Sequence, residues 1–219
     1  MAGTNLNGHL NYLAHMVIGE AAGLDDEAAL GNFIADAVKG RKVESVWGAR
    51  IGLGIRFHRE LDHTSDAHES SEAARGILRG RCGKWSGAVW DVLVDHVLAC
   101  EFQALAPGCG SLEMFTGHQI NRLRNHKRTM PQRSALFFDA MCRHNWLIGY
   151  REGKVVENVL QAMSTRRLQA EPLSMGWKAF LDHEGDLREL ANTLMGDMML
   201  WGKGCKRLSL THQPSAESF

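Results

Sequence analysis

Apolar residues recur at helical spacing along most of the chain. The first apolar segment begins near Asn11 and runs through Ile18, and an acidic turn at residues 24–27 is suited to cap a second helix that ends at Gly40. Further helical patterns cover residues 72–78, 85–105, 112–125, 132–149, 155–163 and 177–200. We therefore predict an all-α, single-domain helical bundle over residues 11–203, with an N-terminal extension at residues 1–10 and a C-terminal tail at residues 204–219.

The segment over residues 46–60 has an ambiguous pattern. From Ile51 to Phe57 apolar residues alternate along the chain, with glycines at two of the positions between them, and this alternation is typical of strands as well as of short helical stretches. Every neighbouring segment has a helical pattern, and the sequence offers no second strand for pairing. We therefore predict a helix here too.

Histidines and carboxylates interrupt the apolar pattern at four places. His58 and Asp62 are four residues apart, so on a helix their side chains project from the same face. Asp91 and Asp95 repeat this spacing inside an apolar run, where a carboxylate is costly unless it is paired or bound to a cation. Two further polar residues directly follow apolar ones: His15 and Asp36. Imidazole and carboxylate ligands together suit Mn, Fe, Zn or Co, although hydrogen-bonded structural roles remain an alternative.

Composition excludes several classes of protein. The chain has 219 residues, enough for one sizeable core, and its 25 basic residues equal its 25 acidic ones, which argues against a nucleic-acid-binding protein. Its five cysteines include no Cys-x-x-Cys pair, no apolar run approaches the roughly 20 residues that span a bilayer, and residues 1–8 lack a signal-peptide pattern. We expect a cytoplasmic protein that binds neither nucleic acid nor membrane, while its oligomeric state is left open.

Basic residues are concentrated in one part of the chain. Between His118 and Leu168 there are ten Lys or Arg residues against three Asp or Glu residues. Such an excess is typical of a solvated basic face, and it is equally suited to docking an acidic or phosphate-bearing partner.

Several blocks, taken in order, resemble the bacterial acyl carrier protein phosphodiesterases, also called holo-acyl-carrier-protein hydrolases. The blocks are Asn11-Tyr12-Leu13-Ala14-His15, Gly31-Asn32-Phe33-Ile34-Ala35-Asp36, His58-Arg59-x-x-Asp62, Asp91-x-x-x-Asp95-His96, Trp146-Leu147-x-x-Tyr150-Arg151 and Asn158-Val159-Leu160-x-x-Met163-x-x-Arg166-Arg167. The resemblance implies a distorted relative of the HD-type phosphohydrolase fold and removal of 4'-phosphopantetheine from the serine of acyl carrier protein. It also implies a divalent metal, usually Mn²⁺, with Mg²⁺, Fe²⁺ and Co²⁺ as alternatives.

The chain departs from the wider HD pattern, because its doublets run Asp-His, as in Asp62-His63, and never His-Asp. On the resemblance we expect His58 and Asp95 to be the principal metal ligands. We expect the other metal-site residues to be ligands or to orient the ligands: Asp36, Asp62 and His96. We predict His15 as a general acid or base and Arg59 as a residue that stabilises phosphate charge. We predict that the carrier protein docks on Arg151, Arg166 and Arg167 and that an apolar pocket takes the pantetheine arm.

Two other functions fit the same sequence. The first is an HD-like phosphohydrolase that acts on a nucleotide or another small phosphate ester, with the same metal site and no docking surface. The second is a non-catalytic helical adaptor in which the His and Asp clusters are structural. Activity on free nucleotides would distinguish the first, and an absence of bound metal would distinguish the second.

Overall fold

The computed structural model of the protein describes residues 12–165 and 169–211, with side chains described through Cys205. These residues form helices and connecting turns and contain no strand, which confirms the all-α prediction. The predicted N-terminal extension, Arg166 and Arg167 lie outside the described residues. None of the described helices is both long and apolar enough to cross a membrane.

The described residues form thirteen α-helices and four 3₁₀ turns. The helices are α1 (Tyr12–Ala21), α2 (Asp26–Ile34), α3 (Val43–Trp47), α4 (Ala49–Asp66), α5 (Glu69–Cys82), α6 (Ser86–Cys100), α7 (Phe102–Leu105), α8 (Leu112–Asn125), α9 (Gln132–Arg143), α10 (Trp146–Gly149), α11 (Gly153–Ser164), α12 (Gly176–Asp182) and α13 (Glu184–Thr211). The 3₁₀ turns are Ala35–Ala37, Gly83–Trp85, Lys127–Thr129 and Glu171–Met175.

Helix α6 lies at the centre of the molecule. Twelve of its fifteen residues are buried, and it packs against α1, α5, α11, α12 and α13. A helix that is apolar on nearly every side is stable only when other helices surround it. The polar residues of α6, Asp91, Asp95 and His96, are therefore buried with it.

Helices α2 and α4 cross with their backbones in close contact. A Cβ atom added to Gly31 would lie 2.1 Å from the carbonyl oxygen of Ile51, and one added to Gly54 would lie 1.9 Å from that of Ala28. Only glycine permits this approach. Gly54, one of the two glycines in the alternating stretch, thus belongs to this helix crossing, whereas Gly52 packs against Glu44 of α3. The predicted helix over residues 46–60 is confirmed as α3 and α4, which are separated at Gly48.

Other predicted helix ends agree with the structure only in part. The second helix, predicted to end at Gly40, ends at Ile34 and is followed by the 3₁₀ turn Ala35–Ala37, and the helix predicted at 85–105 is divided at Glu101 into α6 and α7. The Asp25 carboxylate accepts a hydrogen bond from the Ala28 amide at 2.9 Å, as expected of the predicted cap of α2. The predicted helix at 132–149 is interrupted at Asn145, which adopts a left-handed conformation with φ of 51° that asparagine tolerates. The helix predicted at 177–200 is interrupted at His183, and α13 continues to Thr211, inside the predicted tail.

Candidate metal centre

Four of the predicted site residues converge on one place. His15 lies in the middle of α1, Asp36 lies in the 3₁₀ turn after α2, and His58 and Asp62 lie one turn apart on α4. The crossing of α2 and α4 brings Asp36 to His58, and α1 closes the group from the other side. Both histidines are almost fully buried, whereas the carboxylates keep about a fifth of their surface exposed. The group is therefore buried on the side of the two histidines and open to solvent on the side of the two carboxylates.

Polar side-chain atoms of His15, His58 and Asp62 lie close to one another, and Asp36 lies close to His58. His15 Nε2 is 3.0 Å from Asp62 Oδ1, and His58 Nε2 is 3.2 Å from Asp62 Oδ2 and 3.4 Å from Asp36 Oδ1. The ring centroids of His15 and His58 are 4.1 Å apart. His15, His58 and Asp62 each offer one ligand atom such that all three atoms lie within 4.8 Å of one another.

Asn32 determines which nitrogen of His15 faces the group. Its side-chain amide donates to the backbone carbonyl of His15 at 2.9 Å, so its carbonyl oxygen is the atom that lies 3.3 Å from His15 Nδ1. Nδ1 must then carry the proton, because two acceptors would otherwise meet. The lone pair of Nε2 is left pointing at Asp62. An outer partner of this kind is typical of metal-binding histidines.

Several buried polar atoms at the centre of the group make no well-oriented hydrogen bond with any described residue, although they lie close to one another. They are His15 Nε2, both ring nitrogens of His58 and Asp62 Oδ1. A lone pair of His15 and a carboxylate oxygen of Asp62 face each other at 3.0 Å, a contact that is repulsive unless a proton or a cation lies between them. Two imidazoles and two carboxylates form a donor set that suits a divalent transition metal. The residues present thus fit a metal ion.

The electrostatics of the group favour a bound cation. Burial lowers the pKa of His15, and so does the neighbouring His58. Burial alone would also lower the pKa of His58, but the carboxylates of Asp36 and Asp62 outweigh it and raise that pKa to about 9. Burial opposes ionisation of Asp62, yet the two histidines hold its pKa well below its usual value. The site therefore holds a proton that a metal ion would displace.

Asp95 of α6, predicted as a principal ligand, directs its carboxylate to the N-terminus of α1. Its two carboxylate oxygens accept hydrogen bonds from the backbone amides of Leu13 at 3.0 Å and Ala14 at 2.9 Å. Amides in the first turn of a helix have no partner within the helix, and the helix dipole favours a negative charge there. Burial raises the pKa of Asp95 well above its usual value, and the two amides act against that shift. Asp95 thus contacts the helix that carries His15.

His96 and Arg59 also have partners outside the group. His96 Nδ1 lies 2.7 Å from the carbonyl oxygen of Tyr150, and its ring packs edge-on against Trp177 and Phe180. The Arg59 guanidinium donates to the backbone carbonyls of Gly40 at 2.7 Å and Val38 at 2.8 Å. Arg59 therefore connects α4 to the segment that follows Asp36.

Much of the predicted basic region is neutralised by ion pairs. Arg151 forms an ion pair with Glu113 and donates to the Ala99 carbonyl at 3.2 Å. Other pairs join Arg122 to Glu20 and Asp26, Lys127 to Asp139, and Lys154 to Glu157. Nearer the site, Lys39, Arg41 and Lys42 are exposed and form no ion pair with any described residue. The number of charges follows from the sequence, but the sequence does not indicate which of them form ion pairs.

Three residues beside the site were not singled out from the sequence. Asn32 orients His15, and Tyr12 and Arg133 line a cavity that includes Asp36. The four-residue spacing of Asn32 and Asp36 is a signal that could have indicated Asn32. Arg133 lies almost a hundred positions from Asp36, and no local pattern connects them.

Comparison with known proteins gives one consistent result. Residues 10–198 match the family model described as acyl carrier protein phosphodiesterase. Proteins named acyl carrier protein phosphodiesterase are similar to the chain: one from Yersinia pestis is 30% identical over 87% of this chain and 96% of the relative. Others are from Photorhabdus laumondii, 29% identical over 83% of this chain and 89% of the relative, and Escherichia coli, 28% identical over 77% and 84%. No solved structure matches the chain.

Proposed function

This chain belongs to the acyl carrier protein phosphodiesterase family, and on that premise we propose that it hydrolyses the phosphodiester joining 4'-phosphopantetheine to the serine of holo-acyl carrier protein. It is a hydrolase by this membership. The single observation that carries the proposal beyond the family is the convergence of His15, Asp36, His58 and Asp62 on unsatisfied buried atoms. That arrangement is suited to metal-assisted hydrolysis of a phosphate ester.

We propose that His15, His58, Asp62 and Asp36 hold one divalent cation, most suitably Mn²⁺, with Mg²⁺, Fe²⁺ or Co²⁺ as alternatives. When bound, such a cation supplies positive charge for the phosphoryl oxygens and acidifies a water nucleophile. His15 was predicted from the sequence as a general acid or base. Its burial and its Asn32 contact support a ligand role instead.

The remaining predicted site residues have positioning roles in this proposal. Asp95 fixes the first turn of α1, so it determines where His15 lies. Arg59 fixes the segment after Asp36 through two carbonyl contacts. His96 contributes to the packing of α6 against α12 rather than to the cation site.

We propose that the carrier protein docks on the exposed cations of Lys39, Arg41 and Lys42. The segment follows Asp36 directly, and its charges are not committed to ion pairs with described residues. Arg166 and Arg167, predicted for the same purpose, lie outside the described residues. Arg151 is engaged by Glu113, so its contribution requires that this ion pair opens. An acidic partner would be steered toward the site by such a basic surface.

The test is incubation of the purified protein with holo-acyl carrier protein, with and without Mn²⁺, followed by intact-mass measurement of the carrier. Loss of one phosphopantetheine unit only with metal is the expected result. Absence of loss with folded, metal-loaded protein would refute the proposal. Hydrolysis of free nucleotides in place of the carrier would favour a phosphohydrolase of small phosphate esters.

A further inference from the structure

A small cavity opens beside Asp36, between α1, α2 and α9. Its volume is about 30 Å³, and it is lined by Tyr12, Phe33, Asp36, Ala37, Arg133, Ser134 and Phe137. Asp36 belongs both to this cavity and to the candidate metal centre, where its Oδ1 is 3.4 Å from His58 Nε2. The cavity therefore adjoins the place where the cation is proposed to lie.

Arg133 is the cationic side chain among the residues that line the cavity. It is partly buried, yet it makes no hydrogen bond or ion pair with any residue that the structure describes. Other arginines of the same basic region are engaged: Arg122 by Glu20 and Asp26, and Arg151 by Glu113. A partly desolvated guanidinium without an acceptor is costly, and such a group is typical of a site that receives an anion.

The walls of the cavity hold this arrangement in place. Tyr12 stacks on Phe137 with ring centroids 4.6 Å apart and contacts Phe33 at 5.4 Å. Burial and the charge of Asp36 raise the pKa of the Tyr12 hydroxyl, while Arg133 acts in the opposite direction. The hydroxyl thus stays protonated and remains a hydrogen-bond donor.

The charges of the site favour a cationic side chain at the position of Arg133, in addition to a metal ion. Asp36 and Asp62 bring two negative charges, which a divalent cation would balance. A phosphodiester adds one more negative charge, and the guanidinium of Arg133 supplies the matching positive one. A guanidinium can also donate two parallel hydrogen bonds to two phosphate oxygens. A water-sized group needs roughly 10–15 Å³ of such space, so 30 Å³ accommodates about two oxygen atoms.

We propose that Arg133 binds the two non-bridging oxygens of the substrate phosphodiester in the cavity beside Asp36. The proposal rests on the proposed function, and it names the residue that positions the scissile group. Arg133 then holds the phosphorus against the metal centre, while the rest of the carrier protein contacts the surface outside.

The first test is the kinetics of Arg133→Met, which removes the charge and keeps the stem. We expect kcat/KM for holo-acyl carrier protein to fall about a hundredfold, and Arg133→Lys to lose about tenfold because its single ammonium replaces a two-pronged donor. The matched control is Arg143→Met, at the exposed far end of α9, which should keep wild-type kinetics. Wild-type kcat/KM in folded Arg133→Met would overturn the proposal.

A second measurement separates this proposal from the proposed function. The measurement is calorimetric titration of the Mn²⁺-loaded protein with inorganic phosphate, which requires no carrier protein. We expect the affinity for phosphate to fall at least about tenfold in Arg133→Met and to be unchanged in Arg143→Met. Equal affinity in both variants, or no phosphate binding by the wild type, would overturn the assignment of Arg133 even if the wild type hydrolyses the carrier protein.

Discussion

Replacing Asp95 with alanine should destabilise the protein in the absence of metal. The substitution removes the acceptor of the Leu13 and Ala14 amides, at 3.0 and 2.9 Å, in a fully buried place that water does not reach. Each buried donor left without an acceptor costs about 1–3 kcal/mol, and the two together cost about 3–5 kcal/mol of the free energy of unfolding. Asp95→Asn keeps one acceptor and should cost about half as much.

The assay is urea unfolding in the presence of EDTA, followed by circular dichroism. The midpoint should fall for Asp95→Ala while the dependence on urea concentration stays the same, as expected when only stability changes. The comparison variant is Asp62→Asn, whose side chain faces His15 and His58 and does not contact the first turn of α1. Without metal this variant should lose less stability than Asp95→Ala, because it weakens the contacts with the two histidines but leaves no backbone amide unpaired.

The opposite pattern would refute the reasoning. If Asp95→Ala unfolded like the wild type in EDTA but lost its response to Mn²⁺, the carboxylate would be a metal ligand and not the partner of the first turn of α1. Asp95 and Asp62 are thus distinguished by the presence of metal: Asp95→Ala lowers stability without Mn²⁺, whereas Asp62→Asn removes the response to Mn²⁺.

Three further predictions concern the metal, the helix crossing and the docking surface. Mn²⁺ at a hundredfold excess over its Kd should raise the free energy of unfolding by about 2.7 kcal/mol, and EDTA should reverse this stabilisation. Asp62→Asn should abolish it. A wild-type free energy of unfolding that does not change with Mn²⁺ would argue against a metal site. Gly54→Ala should cost about 3 kcal/mol or more in thermal unfolding, because its Cβ meets the Ala28 carbonyl, whereas Gly76→Ala, with open space around it, should stabilise by about 0.5–1 kcal/mol. Charge reversal at Lys39, Arg41 and Lys42 together should raise KM for the carrier protein about tenfold at low salt with kcat retained. The control Arg79→Glu on α5 should leave KM unchanged. If the kinetics of the wild type and of the triple variant were both insensitive to salt, docking on Lys39, Arg41 and Lys42 would be excluded.

The sequence predicted what depends on local spacing. His58 and Asp62 are one helical turn apart, so their common face followed from the helix alone, and Asp25 was recognisable as a cap. Asp36 reaches His58 only through the crossing at Gly31 and Gly54. Glycines in a sequence do not indicate which helix they contact, so that contact could not be predicted.

Asp95 illustrates a second limit of local patterns. The sequence correctly predicted a buried carboxylate that needs a partner, and a cation was one of the partners that it allowed. The partner in the structure is a pair of backbone amides more than eighty positions away. The basic region shows the same limit, because Arg151 meets Glu113 and Arg122 meets Glu20 across the fold. Unlike Arg122 and Arg151, Arg133 forms no ion pair with a described residue, and it lines the cavity beside Asp36.

The contact between Asp95 and α1 also has a consequence for the order of folding. The amides of Leu13 and Ala14 are synthesised early, and the carboxylate that accepts their hydrogen bonds is 82 and 81 positions later in the chain, respectively. The first turn of α1 therefore cannot be completed until α6 has left the ribosome, and such distant contacts form slowly. His15 reaches its final position only then. In the nascent chain the candidate ligands thus stay apart until α6 has emerged, and the group of His15, His58 and Asp62 is assembled only after this part of the helical core has formed.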